Sequence, residues 1–189
     1  MVLSSRFRKL SSTIQGAIDN MDSGTIYVAP GVYDERITLK SKITIIGAGT
    51  NRTTITRAND SCIVYGIGVS NVTLKDISII GTQTTKDTST CIKLVKNFVD
   101  TTSLPSIVFD NVTVKNTYTS GAGLCTYGII ADSSSFIMKN SYVNVTGKSG
   151  SSDDRGSMKV KRSCKITLLN NSIICKSGES VDRVLWIYD

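Results

Sequence analysis

The side chains best suited to acid–base chemistry in this 189-residue chain are the adjacent carboxylates Asp153 and Asp154, followed by Arg155, in a Ser/Gly-rich stretch. One carboxyl can take a proton and another give it, and a cation beside them can hold developing negative charge. On a strand, neighbouring side chains point to opposite faces, so the three could act together only in a loop. Their plain alternative is a solvated turn. Asp110 and Asp132 are a second candidate, an acidic pair stacked from consecutive coils of a repeat, and their plain alternative is two ordinary turn residues. The chain has no histidine, which removes the side chain that most often serves as a general base near neutral pH. The expectation is therefore that no residue is catalytic, with Asp153, Asp154 and Arg155 as the candidates by type.

Metal and redox chemistry are poorly provided for. The five cysteines, Cys62, Cys91, Cys125, Cys164 and Cys175, include no CxxC pair and have no histidine to complete a zinc site. Cys62 and Cys91 are 29 residues apart and Cys125 follows 34 later, a spacing that predicts one inward column of reduced, buried thiols. Neither a cofactor nor a metal is expected.

Charge is the remaining chemical signal. Lys and Arg number 22 against 15 Asp and Glu, a net charge of +7. Most of these cations are scattered, but Lys159, Lys161, Arg162 and Lys165 form a denser basic stretch, and Arg6, Arg8 and Lys9 lie near the start. A positive surface attracts acidic polysaccharide, nucleic acid or a negatively charged protein shell, and it also simply keeps a protein soluble. No aromatic residues are interleaved with the basic stretch, which argues against nucleic acid. Asn-x-Ser/Thr triplets begin at Asn51, Asn59, Asn71, Asn111, Asn144 and Asn170.

The elements that would position these groups repeat. Residues 72–79, 107–114, 136–143 and 166–173 can be laid over one another, each with two alternating strand patterns meeting at Asp76, Asn111, Asn140 or Asn170. The junctions are separated by 35, 29 and 30 residues, and Gly47 lies one step back. Gly, Asn and Asp adopt the left-handed backbone conformation most readily, so the column predicts one sharp bend repeated coil after coil. Strands without helices at such a period mean a solenoid. Leu74, Phe109, Met138 and Leu168, each two residues before a bend, should share one inward column. A single helix is expected over 12–22, with a capping box in Ser12-Thr13-Ile14-Gln15 and an apolar face of Ile14, Ala17, Ile18 and Met21 that covers the first coil. Stretches 82–90, 100–106 and 147–156 read as loops. The final strand, Val184, Leu185, Trp186, Ile187 and Tyr188, has no following coil in this sequence and is expected to form an interface.

Three segments, Ile14-Gln15-Gly16-Ala17-Ile18-Asp19, Ile26-Tyr27-Val28-Ala29-Pro30-Gly31-Val32-Tyr33-Asp34-Glu35-Arg36-Ile37 and Ile43-Thr44-Ile45-Ile46-Gly47-Ala48-Gly49, together resemble the opening of pectin-lyase-like right-handed parallel β-helices. That group includes pectinesterases, pectate lyases, polygalacturonases and viral tailspike and capsid-associated proteins. The resemblance is specific over about residues 12–56 and implies the fold. Pectinesterase-like chemistry would need two carboxylates, an arginine and glutamine donors on one outer face, whereas this chain has only Gln15 and Gln83. Of polygalacturonase-like motifs it has only Asp153-Asp154.

The sequence is thus read as all-β, a single-stranded right-handed parallel β-helix of about six or seven coils. Residues 1–23 are read as an N-terminal arm and capping helix and 24–189 as the solenoid. The function expected is that of a non-catalytic structural or attachment protein, a capsid- or tail-associated component of a virion, with protein partners in an assembly. The alternatives are a carbohydrate-active enzyme of the pectinesterase or pectate-lyase type and a carbohydrate-binding adhesin, the latter favoured if Tyr118 and Tyr127 are exposed beside a groove. No run approaches the ~20 apolar residues of a membrane span. Residues 1–12 lack the apolar core of a signal peptide, so synthesis in the cytoplasm without a signal is expected.

Overall fold

A computed structural model describes residues 2–4, 10–59, 61–84, 88–96, 107–119, 125–147, 154–177 and 183–188. Its N-terminal elements are strands β1 (Val2–Ser4) and β2 (Leu10–Ser11) and helix α1 (Ile14–Asp19). Six coils follow. The first is β3 (Gly24–Val28), β4 (Gly31–Asp34) and β5 (Ile37–Thr38), and the second is β6 (Ile43–Ile46), β7 (Thr53–Ala58) and β8 (Val64–Ile67). In the third and fourth, one long strand turns the first corner: β9 (Val72–Gln83) precedes β10 (Ser89–Val95), and β11 (Ile107–Tyr118) precedes β12 (Cys125–Asp132). The fifth is β13 (Phe136–Lys139), β14 (Tyr142–Gly147) and β15 (Asp154–Lys161), and the sixth is β16 (Ile166–Leu169), β17 (Ser172–Ser177) and β18 (Arg183–Tyr188).

Each coil contributes one strand segment to each of three faces. The first two faces belong to one sheet of 12 strands folded along the bend, and the third is a separate sheet of six, β5-β8-β10-β12-β15-β18. Pairing between successive coils is parallel throughout. The strands are rich in Ile, Val and Thr, whose branched side chains suit a pleated, half-buried surface. Alternation then sends one set inward. On the first face Ile26, Ile45, Leu74, Phe109, Met138 and Leu168 stand in register. The first five are wholly buried, but Leu168 is 38% exposed. Its register is as expected; its burial is not, since it lies on the last described strand of the first face.

The repeated bend is real. Asp76, Asn111, Asn140 and Asn170 have φ of 55°, 52°, 53° and 52°. Their side chains run along the corner: Asn111 Nδ2 donates to Asp76 Oδ1 at 2.6 Å and Asn170 Nδ2 to Asn140 Oδ1 at 3.0 Å. Gly47 is different. It is not among the positive-φ residues, and a Cβ there would lie 2.3 Å from the Asp76 carbonyl oxygen, so glycine is required for close approach rather than for a left-handed turn.

Helix α1 is shorter than 12–22 and is capped differently from the expected box. Thr13, not Ser12, is the N-cap, its Oγ1 accepting from Gly16 N at 3.1 Å. Gln15 does not reach back; its Oε1 accepts from Thr38 N at 2.6 Å, closing part of the strand edge of the first coil. The free N–H groups of Ile14 and Gln15 donate instead to Glu35 Oε1 and Oε2 at 2.8 and 2.9 Å, which places a carboxylate at the positive end of the helix. Ile14, Ala17 and Ile18 are buried over the first coil. Among the described residues no helix is long and apolar enough to cross a membrane.

Of the expected loops, 82–83 and 89–90 belong to β9 and β10, residue 147 to β14 and 154–156 to β15, while 100–106 lies outside the described residues.

Candidate binding surface

The outer side of the third face gathers cations from the third and fifth coils and from the segment before β5. Pairing places Tyr65 beside Lys93, Lys93 beside Ile130, Ile130 beside Lys159 and Lys159 beside Trp186. The next outward column is Ile67, Val95, Asp132 and Lys161, with Tyr188 the backbone partner of Lys161. Arg36 lies just before β5, with its guanidinium carbon 5.6 Å from the Tyr65 ring centroid. Lys159 sits 4.8 Å over the Tyr127 ring and donates to Tyr127 Oη at 2.8 Å. Lys93 and Lys159 are two coils apart, about 10 Å at the usual strand spacing.

Asp132 is the acidic residue of these columns. It pairs with Arg162 at 3.4 Å and accepts from Ser133 Oγ at 3.3 Å. Lys93, Lys96 and Lys161 make no ion pair with a described residue, so the face keeps a positive excess. Such a surface can bind an extended polyanion, with the partly exposed Tyr65 ring offering flat apolar contact beside Arg36.

The expected site residues fall as follows. Lys159, Lys161 and Arg162 are on this face, while Lys165 is exposed at the approach to β16. Arg36, Lys93 and Tyr65 join them only through register. Asp154 and Arg155 are the first residues of β15, paired with Cys125 and Thr126, rather than members of the loop their cooperation required. Asp153 and the side chains of Asp154 and Arg155 lie outside the described residues. Asp110 and Asp132 do not stack, since Asp110 is on the first face and Asp132 on the third. Asp110 is bonded by Asn140 Nδ2 at 3.0 Å and paired with Lys139 at 3.4 Å. Partial burial alone would push the Asp110 carboxyl up, but the Asn140 hydrogen bond and the Lys139 and Lys75 charges outweigh it and hold it below its usual value. A carboxyl so held stays ionised and is a poor proton donor. Gln15 is committed to the cap and Gln83 is buried, so neither glutamine lies on an outer face.

The tyrosines and thiols are also placed otherwise than expected. Tyr118 and Tyr127 are buried, 2% and 1% exposed, and form no exposed stack beside a groove. The cysteine column does not form: Ile92 pairs with Val64 and Ile129, which sets Cys91 level with Ile63 and Gly128, not with Cys62 and Cys125. Cys62, Cys91 and Cys175 are buried and Cys164 is partly exposed. Among the described residues no group of three or more His, Cys, Asp or Glu could hold a metal ion. In the final strand Val184, Leu185 and Ile187 are exposed, while the side chains of Trp186 and Tyr188 lie outside the described residues.

Comparison with solved structures places this architecture. A pectin methylesterase from Yersinia enterocolitica superposes with a TM-score of 0.53 at 18% identity, over 79% of this chain and 60% of its own. The pectin methylesterase from carrot gives 0.52 at 13% identity, over 92% and 68%. That from Aspergillus niger gives 0.52 at 12%, over 97% and 83%. The fold is the pectin-lyase-like parallel β-helix. At these identities the pectin-lyase-like likeness extends to the fold alone. This chain spans 60% of the length of the Yersinia structure and 63% of a pectin methylesterase solved in complex with a hexasaccharide. No protein-family profile and no curated protein matches the sequence.

Proposed function

We propose that this chain is a carbohydrate-directed β-helix that holds an acidic polysaccharide along the outer side of its third face. The observation that carries the proposal is the row of cations, Arg36, Lys93, Lys159 and Lys161, set on a rigid sheet beside Tyr65. The pectin methylesterase neighbours, one of them solved with a hexasaccharide, support a carbohydrate ligand. Recognition without turnover is the form proposed, because the described carboxylates Asp110 and Asp132 lie on different faces. An enzyme of the pectinesterase type is the competing form, and it would have to draw on Asp153 and Asp154.

Calorimetric titration with de-esterified polygalacturonate tests this. Saturable binding is expected, weakened about tenfold by the double substitution Lys93→Glu, Lys161→Glu, if each surface charge contributes ~0.5–1 kcal/mol, and weakened further by salt. Binding indifferent to both would sink the proposal. Release of methanol from esterified pectin, abolished by Asp153→Asn or Asp154→Asn, would establish the enzyme instead.

A second reading, a structural or attachment protein within an assembly such as a virion, is favoured by the apolar side chains exposed on β18. Its exposed Val184, Leu185 and Ile187 suit burial against a protein partner.

A further inference from the structure

Three neighbouring columns on the outer side of the third face share one alternation from the second to the fifth coil. The first is Tyr65, Lys93, Ile130 and Lys159, and the second is Ile67, Val95, Asp132 and Lys161. The third is the corner just beyond them, Gly68, Lys96, Ser133 and Arg162, all at positive φ. Backbone hydrogen bonds hold that corner in step: Gly68 N donates to Val95 O, Lys96 N to Asp132 O and Ser133 N to Lys161 O. Every one of these side chains is among the described residues. In these columns cations stand in the third coil, as Lys93 and Lys96, and in the fifth, as Lys159, Lys161 and Arg162. The second coil supplies none, and the fourth supplies a carboxylate, Asp132.

We infer, on the reading of the third face as a polysaccharide site, that its ligand carries charge once per disaccharide, an acidic sugar alternating with a neutral one. A chain lying along the long axis crosses one coil every ~4.8 Å, close to the length of a pyranose ring and its linkage. The cationic coils are two apart, about 10 Å, so they meet every second sugar. The sugar between them lies over the fourth coil, where Ile130 offers apolar contact and Asp132 can accept from a hydroxyl. An acidic sugar at that place would face the Asp132 carboxylate, and the like charge selects against it. Arg162 pairs with Asp132 at 3.4 Å, which offsets part of that repulsion but supplies no spare cation at the fourth coil.

Calorimetry on the full chain with two octasaccharides tests this. One is of hyaluronan, whose uronic acids alternate with a neutral sugar, and the other is of galacturonate, acidic at every residue. Attraction by charge alone would favour the octagalacturonate, which carries twice the charge. The alternation predicts the reverse order, with the hyaluronan octasaccharide binding tighter by about threefold. Ile130→Lys puts a cation into the fourth coil at a partly exposed outward position. It should tighten octagalacturonate by about threefold and hyaluronan less. Asp132→Asn should shift the preference in the same direction. Octagalacturonate binding as tightly as hyaluronan or tighter, or an equal gain for both sugars in Ile130→Lys, would overturn the inference. If that binding is still lost in the double variant Lys93→Glu, Lys161→Glu, the polysaccharide reading stands without the alternation. Binding of neither octasaccharide would end both.

Discussion

Replacing Asn140 by alanine and, separately, by glycine isolates what the bend costs. Asn140 has φ of 53°, donates to Asp110 Oδ1 at 3.0 Å and accepts from Asn170 Nδ2 at 3.0 Å. Either substitution removes both side-chain hydrogen bonds, each contributing ~0.5–1.5 kcal/mol net, with the one to the Asp110 carboxylate nearer the upper end. Alanine adds a left-handed penalty of ~1 kcal/mol that glycine does not bear. Asn140→Gly should therefore lose about 1–3 kcal/mol and Asn140→Ala about 1 kcal/mol more, read as a lower urea midpoint at unchanged slope. The loss should also depend on pH. Asp110 has a depressed folded pKa, so its stabilisation is complete above the unfolded carboxylate value and disappears as pH falls through the lower folded one. Without the Asn140 donor that depression shrinks, so the gap between wild type and either variant should be widest at neutral pH and narrow in acid. Equal losses for glycine and alanine, or a gap that widens in acid, would refute the account of the corner.

Gly47→Ala should destabilise by roughly 2 kcal/mol or more, seen as a lower melting temperature, because the new Cβ would meet the Asp76 carbonyl, a backbone atom that cannot swing aside. Native thiol labelling should reach partly exposed Cys164 first and leave Cys62 and Cys91 protected until unfolding, since both are buried and burial pushes the Cys91 thiol well up. Rapid native modification of Cys91 would contradict its place in the core.

Much of the architecture is legible in residue types. The corner at Asp76, Asn111, Asn140 and Asn170 announces itself because Asp and Asn tolerate positive φ. A second corner, at the end of the third face, does not: Gly68, Lys96, Ser133 and Arg162 have φ of 61°, 52°, 48° and 60°. Apart from Gly68 these are not residues that favour the left-handed region. Closure of the coil imposes it, with Lys96 N donating to Asp132 O at 2.9 Å and Ser133 N to Lys161 O at 3.0 Å. The same limitation hides the basic face. Lys159, Lys161 and Arg162 are neighbours in sequence, but Arg36 and Lys93 join them only once the strands are in register, and turns of unequal length conceal that register. The spacing of Cys62, Cys91 and Cys125 misleads for this reason. Glu35 could have been suspected as a helix-capping acid only by knowing that α1 folds back over the first coil.

The direction of the hydrogen bonds has a mechanical consequence. Every ladder in the solenoid runs along its long axis, and β3 and β18 lie at opposite ends. A pull applied between the two ends does not shear whole strands past one another; it opens bonds a few at a time at the terminal coil. That coil is also the one with exposed inward residues, Leu168, Leu185 and Ile187. The rod should yield by unwinding from its sixth coil, each released coil paying out about 100 Å of chain at ~3.4 Å per residue. A ligand held across the third face would clamp neighbouring coils together and raise the force at which that unwinding begins.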